Sequence, residues 1–519
     1  MNNSVKSPQK PKPNAFSRRV LMQAGVLGLS SLELSRRAFG QTFSPPTEIE
    51  GEREPSGIGT RAVVSQYPLV DRMTFGTTYD EVTLYNSKGW AAYLEYHLAP
   101  EKISDNALTN RLQEFPCTAC TPYQNLRVYG WRTGYDVYYD MASAQIVRAA
   151  YAKAQLLEVM TEFWLDHFNV FNNAISNELL PTYVRTIRSL ALSDFPTLLR
   201  AVVKSGAMMQ YLDNDRNITG QHNENFAREL MELHTLGVYN GYSETDIYVA
   251  RRCFTGWSRE AIDDNMDTTT NKNWGLFKFY PDCHDNEGGY FLGTKSTDLI
   301  VKGGIEQGEG ILTKLALNPN TANTIATKLC QRFLGENVSA TFIQSTANTF
   351  LTSNGDIKTV LRYILNETNF KANYSPRFKR PFRYLISSIR ASYGNIVDTG
   401  DVLWWLLQPL RQQPFQWGPP NGYPDTYLAW VDNLLPRWKA GMGIAQNNFW
   451  GVRTNPFLYM TGRTPANVVT YINKYLFGGG LSASSQASLQ AYMKTNTPTN
   501  AQIRETIGLA LSSPDFMMY

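Results

Sequence analysis

The sequence predicts a mainly α, multi-helical globular protein with long irregular loops and a small β-hairpin insertion. Three observations carry this. From Tyr67 onward apolar residues return every three to four positions over most of the chain, which is the helical period. Hydrophobic residues make up 43% and aromatic residues 13% of the 519, enough to fill a sizeable core. One interval, 259–309, breaks the pattern: Asp, Asn, Thr and Gly dominate it, with only short aromatic runs such as Phe277-Lys278-Phe279-Tyr280, so it reads as a loop-rich insertion or a small hairpin.

Residues 1–40 stand outside that fold. Lys6, Lys10 and Lys12 precede Ser17-Arg18-Arg19-Val20-Leu21-Met22, which leads into Ala24-Gly25-Val26-Leu27-Gly28-Leu29. An arginine pair ahead of a weakly apolar stretch resembles the bacterial twin-arginine export signal, although Leu21 stands where Phe is usual and Met22 where Lys is frequent. Glu33 ends the apolar run well short of the roughly 20 residues a membrane span needs, so no permanent transmembrane anchor is expected. The signal implies engagement of the twin-arginine export machinery, cleavage near Ala38-Phe39-Gly40, and a periplasmic or extracellular envelope location. The rival reading is a disordered basic tail. Residues 1–40 carry a net +6, so the chain's +4 becomes −2 over 41–519. The basicity belongs to the leader, and nothing else suggests a phosphate-binding surface or a nucleic-acid partner.

Residues 41–66, rich in Glu, Gly and Pro, read as a linker or extended arm, and 67–519 as a single large helical domain. Tyr79-Asp80-Glu81-Val82 precedes a helix with apolar returns at Trp90, Tyr93, Leu94 and Leu98, stopped by Pro100. The aromatic, Gly-containing interval from about 115 to 139 reads mostly as loop. A long helix is expected from near Ala142 through Leu156, Met160 and Trp164 toward His167, its Ala, Leu, Glu and Lys content supporting the period. Further helices fit 178–190, 195–212, 223–236 and 244–254; Asp194 caps the third-last of these, and Gly206 merely weakens its middle. Beyond 259–309, helices fit 309–317, 321–334, 340–350, 356–367 and 381–393. Trp404-Trp405 and an aromatic loop, Gln413-Pro414-Phe415 to Tyr423-Pro424, follow, and two final helices fit 485–493 and 500–511. No internal repeat emerges.

The five cysteines are Cys117, Cys120, Cys253, Cys283 and Cys330. Cys117-Thr118-Ala119-Cys120 has the spacing of a redox pair or half a zinc site, but no second close pair completes a zinc pattern. In an exported chain a local disulfide is the plainer reading. A Gly-x-Ser-x-Gly elbow, a phosphate loop and a dinucleotide glycine motif are all missing.

The sharpest motif is Asn223-Glu224-Asn225-Phe226-Ala227-Arg228-Glu229-Leu230-Met231-Glu232-Leu233-His234-Thr235-Leu236-Gly237-Val238, followed by Gly241 to Ile247, Ala250-Arg251 and Thr255-Gly256-Trp257. With Met160 to Phe168, His284-Asp285, Phe291-Leu292-Gly293, Asn318 to Ala322 and Ser512 to Phe516, it closely resembles the bacterial family catalogued as domain of unknown function 1800, over about 67–519. The resemblance implies export and an exported protein partner, and supplies no catalytic residues. This chain departs from the usual pattern in three places. Trp164-Leu165-Asp166-His167 replaces Trp-His-Asn-His, Lys379-Arg380-Pro381-Phe382 replaces a Pro-x-Glu start, and Pro419-Pro420-Asn421-Gly422-Tyr423 lacks the usual Lys-Gly-Trp ending.

On a helical projection Asn225, Arg228, Glu229 and Glu232 share a sector of about 100°, beside an apolar stripe of Phe226, Leu230, Leu233 and Gly237. Arg228 can pair with Glu232, and Asn223 is a suitable N-cap. Four of the five histidines, His167, His222, His234 and His284, lie in or beside the motifs. Converging with carboxylates, they would hold a divalent metal ion. Glu229 or Glu232 would then take a proton from bound water and Arg228 would stabilise negative charge, giving a metal-dependent hydrolase. The same residues, with Asp246 and Arg251, equally suit a structural ion-pair network. Trp404, Trp405, Trp417 and Tyr423 could stack on sugar rings or simply pack. The function expected is therefore an exported helical envelope scaffold or binding protein, recognising an exported protein or an envelope glycan, with the hydrolase as alternative.

Overall fold

Why the long periodic stretch ending at His167 is two helices is settled by one side chain. In the computed structural model, which describes residues 66–128, 134–260, 272–287, 289–295 and 303–519, helices run Gly134–Tyr151 and Gln155–His167. The Gln155 amide donates to the carbonyls of Ala149 and Ala152 at 3.1 and 2.8 Å, capping the first helix's open end while starting the second. Its Oε1 accepts from Phe75 N at 2.9 Å, drawing in the Pro68–Met73 helix. The first helix also begins ahead of Ala142, and Pro116–Ala119 and Pro122–Val128 form helical turns, so the described part of 115–139, expected to be mostly loop, is largely helical.

The 195–212 stretch divides likewise, into Phe195–Val203 and Gly206–Tyr211. Asp194 caps the first, as expected, and Ser205 caps the second by accepting from Met208 N at 3.2 Å. Gly206 is not a weak point inside a helix but the first residue of a new one. A Cβ there would sit 2.1 Å from the Gly275 carbonyl oxygen.

Helix dominates the rest. Three two-stranded antiparallel sheets occur among the described residues, in the registers Trp257↔Phe279, Tyr290↔Lys295 and Gly394↔Thr454. The first two supply the expected hairpin character of the insertion. The third joins segments too distant in sequence to show as a hairpin. Leu434–Gln446 is a helix that the apolar period does not reveal, because Pro436, Gly441 and Gly443 interrupt it. Pro436 falls in the first turn, where proline is tolerated. The glycines admit the Tyr384 hydroxyl and the Phe449 ring, which a Cβ would meet at 2.8 and 2.2 Å.

The hydrophobic core is continuous from Leu69 to Met517, and Trp164 lies wholly inside it, its indole donating to Ala191 O at 2.9 Å. The Gln155–His167 helix is central: apart from Leu157 and Asp166 every residue is buried. Among the described residues no helix is long and apolar enough to cross a membrane. The proposed leader at 1–40 and, but for Gln66, the arm at 41–66 lie outside the described residues. No Cys117–Cys120 disulfide forms: Cys120 carries a free thiol that contacts Pro116 O at 3.5 Å, while Cys117 is turned into the core.

Gly206→Ala separates propensity from packing. Intrinsic propensity favours alanine by less than the figure of about 1 kcal/mol that holds in a helix interior, since Gly206 is the first residue of its helix, whereas displacing the Gly275 backbone costs about 1–3 kcal/mol. Urea unfolding should show a lower midpoint for the variant; an unchanged or raised midpoint would disprove the close approach.

Candidate functional site

The motif helix is shorter than its periodicity suggests, running Asn225–Glu232, with Asn223 Oδ1 accepting from Asn225 N at 2.9 Å. The chain then winds tightly, Gly237 N reaching Met231 O at 3.1 Å with Gly237 at φ +101°, so His234 lies beyond the helix. Arg228 is shared among three carboxylates: Glu224 at 3.1 Å, Glu232 at 3.4 Å, and Glu244 at 3.0 and 2.7 Å. Glu244 opens the Glu244–Cys253 helix, which Ser243 and Asp246 start with a capping box. Arg228 thus joins two helices and is committed to existing anions. Glu229 points elsewhere, into the core at 3% exposure. Burial, and then the Glu232 charge, push its carboxyl up to about 7 against the pull of Arg228.

The four histidines divide between two places, His167 with His234 and, around Asp285 and Thr255, His222 with His284. His167 and His234 interlock: His167 Nε2 meets His234 O at 3.1 Å, and His234 Nδ1 meets His167 O at 3.0 Å. Lys328 Nζ lies 3.0 Å from His167 Nδ1, which fixes that nitrogen as an acceptor and Nε2 as the donor. Burial, reinforced by the Lys328 charge, holds His167 well below its ordinary range and His234 down to about 3. His222 instead sits 3.1 Å from Asp285, which Arg252 also binds at 2.9 Å. His284 reaches Thr255 O at 2.7 Å and Gln307 at 3.0 Å. Among the described residues no group of three or more His, Cys, Asp or Glu side chains is arranged to hold a metal ion.

The aromatic residues singled out for stacking also divide. Trp417 packs on Tyr423 at 5.0 Å and donates to Asn421 at 3.0 Å, while the Tyr423 hydroxyl donates to Gln413 O at 2.7 Å, so this pair knits its own loop. On the π-helical turn Val402–Leu407, Trp404 packs against the core and Trp405 is 67% exposed.

The three segments that depart from the usual pattern meet. Arg380 binds Asp166 and Glu162, each at 2.5 Å, and Gly422 lies so close to Asp166 that a Cβ would be 2.1 Å from its carbonyl oxygen. Arg332 also binds Glu162, and Arg377 holds Asp425 at 2.8 Å. Burial raises Asp166 to about 6, aided by Glu162 and opposed by Arg380. These groups form an internally paired centre.

An open site lies elsewhere. A cleft of about 680 Å³ is lined by the first turn of the Tyr79–Lys88 helix, by Tyr96, by the chain just after Gly134–Tyr151, and by the end of the Pro381–Ala391 helix. Glu81 forms part of its wall, accepting from the Tyr93 hydroxyl at 2.7 Å, with Arg390 at 3.6 Å and His97 at 3.7 Å. Burial works to raise its carboxyl, but His97, Arg390 and Tyr93 together outweigh that and hold it below its ordinary range. Arg111 stacks on Tyr151, 4.2 Å from the ring centroid, and donates to Asn395 at 2.9 Å. Tyr151 is itself fixed, donating to Gly394 O and accepting from Ile396 N.

A family model described as "Protein of unknown function (DUF1800)" matches residues 68–518. The chain belongs to the DUF1800 family. No curated protein and no solved structure matches it.

The DUF1800 motifs direct attention to the polar helix and the histidines, whereas the cleft draws on residues outside the sharpest motif. Tyr79-Asp80-Glu81-Val82, expected only to precede a helix, itself opens the Tyr79–Lys88 helix, and Arg111, Lys153 and Arg390 are brought together only by the fold.

Glu229 supplies a pH test. Because its folded pKa lies above the unfolded value, the native state holds the proton longer, and stability falls as pH rises from about 4.5 to about 7. Glu229→Gln should remove that slope and gain on wild type by an order of 1–3 kcal/mol between pH 5 and 8. A stability difference independent of pH would contradict the buried, raised carboxyl.

Proposed function

We propose that this DUF1800 protein is an exported helical binding protein of the cell envelope, and that an envelope glycan occupies the Glu81–Arg390 cleft. The observation carrying this reading is the cleft. Its volume of about 680 Å³ falls within the range of about 300–1,000 Å³ usual for small-molecule sites. Tyr96, Tyr151 and Tyr393 on its lining offer faces suited to sugar rings. Thr78, Asp80 and Asn395 add hydrogen-bonding groups for hydroxyls. The hydrolase alternative receives less support, since Arg228 is engaged by three carboxylates and His167 and His234 face one another's backbone carbonyls.

Calorimetric titration with soluble envelope-glycan fragments tests the binding reading. Tyr96→Ala, at a half-buried cleft position, should weaken binding about five- to tenfold, the loss of one aromatic contact of about 1 kcal/mol, without lowering the melting temperature. Equal affinity in the variant would remove the cleft from consideration. Export rests on Arg18-Arg19 and is tested by fractionation: the Arg18→Lys/Arg19→Lys variant should stay in the cytoplasm. If it accumulates outside as the wild type does, the twin-arginine assignment fails.

A further inference from the structure

The cleft's charges are not all spent on one another. Arg390 is buried against Glu81, and its other terminal nitrogen donates to Ala150 O at 2.8 Å, so this pair is internally neutral. Arg111 and Lys153, by contrast, line the cleft without a carboxylate within ion-pair distance among the described residues. Arg111 spends one nitrogen on the neutral Asn395 amide and its face on Tyr151. Among the described residues Lys153 Nζ reaches only the Ser104 carbonyl, at 3.4 Å. The acid nearest to it along this contact, Asp105, is already engaged: its oxygens accept from Leu108 N at 3.2 Å and Lys153 N at 2.8 Å, and it serves as a helix cap. The remaining acid on the lining, Asp80, is exposed on the Tyr79–Lys88 wall beside Glu81.

Resting on the glycan-cleft reading, we propose that the ligand is a carboxylated saccharide, its carboxylate taken by Arg111 and Lys153. A guanidinium held flat by an aromatic ring retains its N–H edge for a carboxylate and loses little freedom on pairing. Asp80 repels an anion at the other wall, where neutral hydroxyls can bond instead. The ligand therefore enters in one orientation, acidic group toward Tyr151 and Asn395.

The test compares two sugars alike in all but charge, a β-1,4-linked glucuronic acid trimer and the corresponding glucose trimer, titrated calorimetrically into the full chain. The acidic trimer should bind at least about tenfold more tightly at low salt, and the preference should shrink as added salt screens the pairing. Arg111→Gln/Lys153→Gln should abolish the preference while leaving the weaker neutral binding, and Arg111→Lys, which keeps the charge, should retain most of it. Circular dichroism and melting temperature confirm folding, and Lys153→Glu, at an exposed position, gives an independent variant in which the preference is lost. Equal binding of both trimers, sensitive to Tyr96→Ala, would overturn the carboxylate assignment and leave the cleft reading standing. Binding of neither trimer, or binding indifferent to Tyr96→Ala, would overturn both.

Discussion

The fold depends on a helix, Gln155–His167, that is buried almost all round yet carries four ionisable side chains. A helix in that position is ordinarily apolar on every face. Here Glu158, Glu162, Asp166 and His167 each require a partner, and the partners come from four other segments of the chain. Glu158 takes Arg188 through two hydrogen bonds from its Nε and a third at 2.5 Å. Glu162 takes Arg332 and Arg380, Asp166 shares Arg380, and His167 takes His234 and Lys328. Leaving a buried charge without its partner costs about 3–5 kcal/mol, whereas exchanging a whole buried pair for apolar groups is often neutral or stabilising. The pairs therefore choose an arrangement of segments more than they add net stability. Asp425 extends the choice to the late aromatic loop, and three arginines hold its carboxyl below the ordinary range against the upward pull of burial.

That centre also accounts for where the cleft lies. Arg380 immediately precedes the Pro381–Ala391 helix, whose last turn delivers Arg390 about 15 Å along its axis at 1.5 Å per residue. The Gly134–Tyr151 helix ends where Gln155 caps it and leaves Tyr151 and Lys153 on the cleft lining. These parts of the lining are thus ends of helices, and the Pro381–Ala391 helix is tied to the polar centre at its start through Arg380. Rigid elements held in this way can present side chains in a defined array, as a binding site requires.

Much of the helical content was legible because apolar periodicity reports burial directly. What it could not report was where a long periodic run is cut, since the cuts depend on single side chains meeting distant backbone: Gln155 with Phe75, and Gly206 with Gly275. Leu434–Gln446 was hidden by glycines whose role is to admit Tyr384 and Phe449. The histidines are sparse and lie in or beside the motifs, but sequence gives no direction to an imidazole, and two of them turn toward backbone carbonyls across a 67-residue separation. Arg111 and Asn395, 284 positions apart, make the cleft's clearest contact, and no local pattern encodes such a pairing.

Two buried glutamates show why the motif helix and the cleft invite opposite chemical readings. Glu229, near a second carboxylate and turned into the core, is driven toward its neutral form, with a pKa of about 7. Glu81 is equally removed from water, yet His97, Arg390 and Tyr93 hold it below its ordinary pKa, so at neutral pH it remains an anion. A fixed anion already balanced by Arg390 adds no net charge to its wall. The imbalance of the lining then resides in Arg111 and Lys153 opposite the exposed Asp80. Because those three groups remain near solvent, each interaction is individually modest and screened by salt. Their effect on a ligand is to select and orient it, while the tyrosine faces supply the contact area that burial requires.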